Sequence, residues 1–429
     1  MKVHTVSKGE TVYSIAKNYS VSPADVINVN MLKNPNRLSV GHALMIPEDL
    51  HIYTASGRDT VYTVAKANGV TPNEIWRANP QLYGSRRILP SQKIMIPAVD
   101  GEKTLIETNA FAYPYTDERV ARTTMPYLTY LSVLSYGITP DGRMIKPPGD
   151  ETRIIRTANE YGTIPMLVVS SIGFDGMYSP ALADAVIGNE TSRKTFTDEL
   201  IKTVNGQGYG GAVIDFEYFS RDLADAYTEM VSEITDALHS AGKKSFVSVP
   251  PKDSDAGGSE FYAYQDYAAL GNIADRVIIM LNELVGRYDE PQPVTDVRKV
   301  NKTLDYAVSQ IAPEKIEASF RSFGYDWALP FERGSSAASA VANSEAPMFA
   351  YQKKAEIKFE SEAASPLFSY YDKTGVSPVE HNVYFDDART SVALSDIIRE
   401  KNIGGTSLWT AGRLSPQFWG ILSSEFNIK

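Results

Sequence analysis

The chain has 429 residues, a formal net charge of −10 and no cysteine. Those values exclude disulfides and thiolate metal sites, and the negative balance argues against a nucleic-acid surface. The length allows a large core and more than one domain, and no apolar run is long enough to span a bilayer, so no membrane partner is expected. Five scattered histidines (His4, His42, His51, His239, His381) lack ligand spacing, so neither a metal site nor a cofactor is expected. Met1 to Thr5 has no apolar h-region and runs straight into domain sequence, so no secretory signal is expected. Tyrosine is abundant, at 25 residues, and aromatic rings make good platforms for sugar faces, although most serve packing.

Residues 10–17 (ETVYSIAK) align with residues 59–66 (DTVYTVAK) at an offset of 49. The match continues through Val21/Val70, Pro23/Pro72 and Asn30/Asn79, and Met-Ile-Pro closes both units at 45–47 and 95–97. Each unit reads as a strand, a helix starting near Thr11 or Thr60, a second helix after Ser22-Pro23 or Thr71-Pro72, and a closing strand. Val12, Ile15, Ala16 and Tyr19 give the first helix its apolar stripe. This repeat resembles the LysM module, a βααβ unit that binds N-acetylglucosamine polymers, at residues 1–48 and 51–98. The resemblance implies a glycan groove between the Gly9, Glu10, Thr11, Val12 loop and the loop near Asn30. In the second copy Asp59, Thr60, Val61 and Asn79 take those places, with Arg58 where the first copy has the turn glycine. Helix capping is the structural alternative for Thr11 and Thr60. Two modules in tandem would add avidity on a polymer.

Beyond a polar linker (98–103), apolar runs of strand length alternate with helical patterns eight times. The runs are 104–113, 127–138, 164–171, 211–218, 245–251, 276–283, 315–323 and 406–412. Helix-like segments include 191–205, 222–241, 294–311 and 388–401. This order predicts an α/β fold, a (β/α)8 barrel over 104–429. An α+β insertion is expected at about 328–383, between strands 7 and 8. It contains a hairpin formed by 366–371 and 382–385 and a loop or weak helix start at 334–340.

The fourth run ends in Asp215-Phe216-Glu217-Tyr218. Strand alternation puts Asp215 and Glu217 on one face, and two acids at the C-terminal end of a barrel strand sit where catalytic groups sit. The stretch resembles the glycoside hydrolase family 18 signature D-x-x-D-x-D-x-E, with Gly210 and Val213 in the first two acid positions. The resemblance implies Glu217 as general acid and Asp215 as the group orienting the substrate's 2-acetamido function. Two acids on one side of the sugar cannot serve as acid and nucleophile, whereas an N-acetyl carbonyl can supply the nucleophile, giving retention. A charged Asp215 would also raise the Glu217 pKa.

Further matches are weaker. Asn282 and Glu283 end the sixth run where the family has Met-x-Tyr-Asp/Glu, so Asn282 replaces a tyrosine. Arg321 stands in a segment that otherwise matches through Tyr325-Asp326-Trp327, and the resemblance implies that Arg321, Tyr218, Asn282 and Glu283 contact the sugar. Trp409 matches the tryptophan floor under the sugar, while Trp76, Trp327 and Trp419 read as packing. Residues 384–389 read as structural, with Asp386 and Asp387 at a helix start. The whole chain resembles spore cortex-lytic N-acetylglucosaminidases of the SleL/YaaH type. The expected partner is peptidoglycan or another N-acetylglucosamine polymer, in the spore cortex or coat, with a cytoplasmic life as the other option. Rival readings are a binding protein that has lost catalysis and a chitinase-like enzyme.

Overall fold

The computed structural model describes residues 1–48, 51–98, 103–216, 218–254, 264–375 and 377–429. Eight parallel strands form a closed barrel: β1 (Leu105–Ala112), β2 (Tyr130–Ile138), β3 (Ile164–Ser170), β4 (Gly211–Asp215), β5 (Lys244–Val249), β6 (Arg276–Ile279), β7 (Ile316–Arg321) and β8 (Gly405–Trp409). Each strand pairs with its sequence neighbour, and β8 pairs with β1 to close the ring. Their near-continuous apolar composition follows from burial on both faces, with helices outside and side chains filling the centre. The helix Ala224–Ser240, for example, turns Tyr227, Met230, Val231, Ile234 and Leu238 to the barrel, at the three-to-four spacing of one helical face.

The barrel interior is layered. At the N-terminal end, Glu107 accepts hydrogen bonds from Tyr130 (3.1 Å), Arg276 Nε (2.9 Å) and the C-terminal Lys429 (2.7 Å). Asn109 donates to Glu317 (3.0 Å) and accepts from Ser132 (3.1 Å). Above this polar floor lies an apolar plug of Phe111, Leu134, Met166, Val168, Val213, Phe246, Ile278 and Met280.

Most strands are shorter than their apolar runs, and three end at least three residues early, among them the eighth, expected to reach Gly412 but ending at Trp409. The fourth was expected to reach Tyr218 but ends at Asp215, and the sixth was expected to reach Glu283 but ends at Ile279. Leu281–Glu283 forms a 3-10 turn instead, because the chain leaves the ladder where the barrel opens. Between β7 and β8 stands a five-stranded antiparallel sheet, in the order Ser339–Ala342, Phe323–Ala328, Val379–Tyr384, Ser365–Asp372, Lys358–Glu360. The helix Ala346–Lys353 packs on it. This sheet already includes Phe323–Ala328, whose first residue was counted in the seventh run. The 366–371 and 382–385 runs do pair antiparallel. The 334–340 stretch is no helix start: it turns at Glu332–Ser336 and enters the strand Ser339–Ala342.

Each N-terminal repeat is a βααβ unit whose two strands pair antiparallel. Thr11 and Thr60 cap their helices in reciprocal capping boxes with Ser14 and Thr63, satisfying amide groups left over at a helix start. Both units dock on the barrel. Met45 and Met95, one from each, share an apolar cluster with Ala388 and Ile421. Gln417 donates to the Ala43 carbonyl (2.6 Å), Arg389 to Gly41 (3.2 Å), Ser39 to Pro347 (2.9 Å), Arg77 to Pro126 (2.7 Å) and Tyr127 to Arg77 (2.9 Å).

Candidate active site

Asp215 ends β4 with its side chain fully buried. Ser170, at the end of β3, donates to its Oδ2 at 2.8 Å, and Tyr178 reaches the same oxygen at 3.4 Å. Ser248, on β5, donates to Oδ1. Burial pushes the Asp215 carboxyl above its ordinary pKa, and the hydrogen bonds from Ser248, Ser170 and Tyr178 act against that rise. Signature positions without acids have steric and packing reasons. A Cβ on Gly210 would strike Ile164 Cγ2, and Val213 belongs to the apolar plug. Among the described residues, the hydroxyls of Ser170, Ser248 and Tyr178 hold Asp215.

Glu217 lies outside the described residues. Tyr218 follows it, half-buried, outside the ladder. Trp409, half-buried at the end of β8, rests on the plug, 5.0 Å from the Phe111 ring. It thus lies at the C-terminal mouth with an apolar floor beneath, as a sugar platform requires.

Asn282 and Glu283 sit half-buried on the 3-10 turn after β6. The Asn282 Oδ1 is buried without a hydrogen-bond partner among the described residues, which leaves it available to a donor on a ligand. Arg321 pairs in register with Trp409, but it is 3% exposed. One of its nitrogens donates to the Val285 carbonyl (2.7 Å), and the guanidinium lies over the Phe323 and Tyr325 rings. This corrects its reading as a sugar contact: the long side chain folds back and ties the loop after β6 to the insertion.

The mouth also carries exposed aromatics that the sequence reading did not single out. Tyr113 and Tyr115, after β1, stack at 5.1 Å and 13°. Phe174 after β3 and Tyr288 after β6 are 85% and 64% exposed. Their position just past the strand ends was a usable signal, as was a serine toward the end of the third and of the fifth strand. Trp76, Trp327 and Trp419 are buried. Asp387 caps the helix Ala388–Glu400.

In the N-terminal units the expected groove residues divide. Glu10 accepts from Ser7 N (2.7 Å) and pairs with His4 (2.9 Å), and Asp59 repeats this with Ser56 N (2.6 Å) and Tyr53 (2.9 Å). Val12 and Val61 are core, so only their backbone can face a ligand. Asn30 and Asn79 are corrections. Both are buried, and each donates to two carbonyls, Val26 and Met45 or Ile75 and Met95, while accepting from the Met45 or Met95 amide. With the amide so engaged they clamp the closing strand instead of meeting sugar.

The two grooves also differ. In the second unit the Val61 amide donates to the Arg86 carbonyl (3.1 Å), Thr60 forms a bridge with Arg87, and Arg86 covers the Tyr62 ring. In the first unit Gly9 takes φ +86 with open space around it, and Tyr13 is 70% exposed. No loop-to-loop bridge closes that groove among the described residues.

The barrel with its buried acid at β4 and aromatic mouth is that of a glycoside hydrolase. The chain belongs to the glycosyl hydrolases family 18, matched over residues 116–413, and carries two LysM domains, at residues 4–47 and 53–97. It is 32% identical to the cortical fragment-lytic enzyme of Bacillus subtilis (strain 168), over 100% of this chain and 99% of that protein. The crystal structure of the Bacillus cereus spore cortex-lytic enzyme SleL is similar at a TM-score of 0.82 and 29% identity, covering 100% and 99% of the two chains. A chitinase from Chromobacterium violaceum ATCC 12472 shares the barrel fold, with a TM-score of 0.68 and 22% identity over 75% of this chain and 98% of that one. Among the described residues no helix is long and apolar enough to cross a membrane.

Proposed function

We propose that this glycoside hydrolase cuts spore cortex peptidoglycan after N-acetylglucosamine, with retention, using the substrate's own acetamido group. Glu217 delivers the proton to the leaving oxygen. Asp215 orients the acetamido N–H and stabilises the positive charge that develops there. Trp409 stacks on the sugar face. The open first LysM unit holds the polymer. The single observation that carries this reading is Asp215, buried at the strand end and held by the hydroxyls of Ser170, Ser248 and Tyr178. A group so placed, its proton affinity raised by burial against the pull of its hydrogen bonds, can follow the charge of an amide through the reaction. A spore setting and a cortex substrate accord with full-length similarity to the cortical fragment-lytic enzyme.

The test compares wild type and Glu217→Gln on cortical fragments. Wild type should release products with retained β configuration, seen by proton NMR at early times. The variant should lose about 10²–10⁴-fold, the usual contribution of a positioned acid. Inverted product, or an undiminished variant, overturns the mechanism. Binding without turnover by wild type overturns the reading as a whole.

A further inference from the structure

A wide groove lies apart from Asp215 and has no role in the mechanism above. Its volume is about 890 Å³, and three parts of the chain supply most of its lining, loop 30–38 of the first LysM unit, stretch 340–352 of the insertion and loop 412–417 after β8, with His42 and Val120 completing it. One end therefore begins at the lip of the LysM groove. The other ends three residues beyond Trp409, at Gly412.

Its charge is distinctive for a chain of net charge −10. Lys33, Arg37 and Arg413 line it, with Glu345 as the one acid. Lys33 pairs with Glu345 at 3.2 Å. Arg37 and Arg413 are exposed and have no carboxylate partner among the described residues. Two cations facing a common space, with apolar Phe349 and Met348 beside them, match a ligand with carboxylates on a partly apolar backbone.

We infer that this groove takes a short acidic peptide carried by the same glycan strand that the LysM unit and the barrel hold. The inference rests on the peptidoglycan reading, because peptidoglycan is a glycan whose sugars bear peptides with free carboxylates. A neutral polymer such as chitin gives Arg37 and Arg413 nothing to bind. The groove would then select peptide-bearing strands and set their register on the enzyme.

The experiment uses the full chain and two substrates: peptide-bearing cortical fragments, and the same fragments stripped of peptide by an amidase. Wild type should show a lower KM on the peptide-bearing form by about fivefold, the size that two exposed charge pairs give. The Arg37→Glu/Arg413→Glu variant should erase that difference, with kcat and all activity on stripped fragments unchanged. Equal KM values in wild type, or an equal loss on both substrates in the variant, overturn the proposal. Should neither substrate turn over, the cortex reading fails, and calorimetry with the free tripeptide alanyl-glutamyl-diaminopimelate decides the groove. Binding lost in the variant supports it, and no binding to wild type overturns it.

Discussion

Asp215 shows how a single residue can be held at a cost to stability for the sake of chemistry. A buried carboxyl with a raised pKa binds its proton more tightly in the folded chain than in the unfolded one. Stability from that group is fully present below the unfolded pKa and is lost as pH rises through the folded one. Asp215→Asn should therefore unfold at a higher temperature than wild type at about pH 8 and show no such gain near pH 4, while losing about 10²–10³-fold in kcat. Thermal melts across pH, run beside the activity assay, check both halves. An equal shift at the two pH values would mean that Asp215 is ionised throughout. Of this site the acid itself was legible, because a charged residue at the end of an apolar strand is costly unless used. Its partners were harder to see. Ser170 and Ser248 lie 45 and 33 residues from Asp215 in sequence, and only the closed ring brings them together. Arg321 misled because strand alternation gives the direction of Cβ but not where a long flexible side chain finally lies.

Among elements, the two LysM units make the sharper contrast, since one repeat pattern yields different grooves. Tyr13 stands exposed beside the open loop of the first, whereas Arg86 covers Tyr62 of the second. Tyr13→Ala should weaken retention on insoluble peptidoglycan by about three- to tenfold, the loss expected for one aromatic contact. Tyr62→Ala should change it by less than twofold, as a pull-down across protein concentrations would show. The repeat itself, the helix starts and the closing strands were all readable from capping residues and apolar spacing. What could not be read was that Asn30 and Asn79 face inward. A polar residue at a helix end serves equally well as a ligand contact or as a clamp, and the choice depends on a strand 15 or 16 residues away. Likewise, strand ends at the barrel mouth could not be fixed by composition, because apolar side chains continue past the last ladder bond at β4 and β6.

At the scale of the whole molecule, the modules are built into the enzyme instead of hanging from it. Gly41 adopts φ +85, and a Cβ there would run into the Ile357 carbonyl; one on Gly84 would meet the Arg122 carbonyl and the Tyr161 hydroxyl. Both contacts join a LysM unit to the barrel or its insertion, and Gly420 likewise admits Met45 at close range. Docking this tight fixes the open LysM groove relative to Trp409, so on the proposed reading the first unit should deliver one strand in one direction, where tethered modules would only raise local concentration. Gly41→Ala combines a left-handed backbone position with a backbone clash, and should cost about 1–3 kcal/mol. Because the strain falls on the interface, its effect should be local: the first LysM unit loosens while the barrel stays folded. Limited proteolysis should then cut between the first unit and the rest. Activity on a small soluble N-acetylglucosamine substrate should persist, and activity on insoluble cortex should fall with it. If cortex activity survived while the unit was visibly undocked, the module would be acting as a tether, and the fixed path from LysM groove to barrel mouth would be wrong.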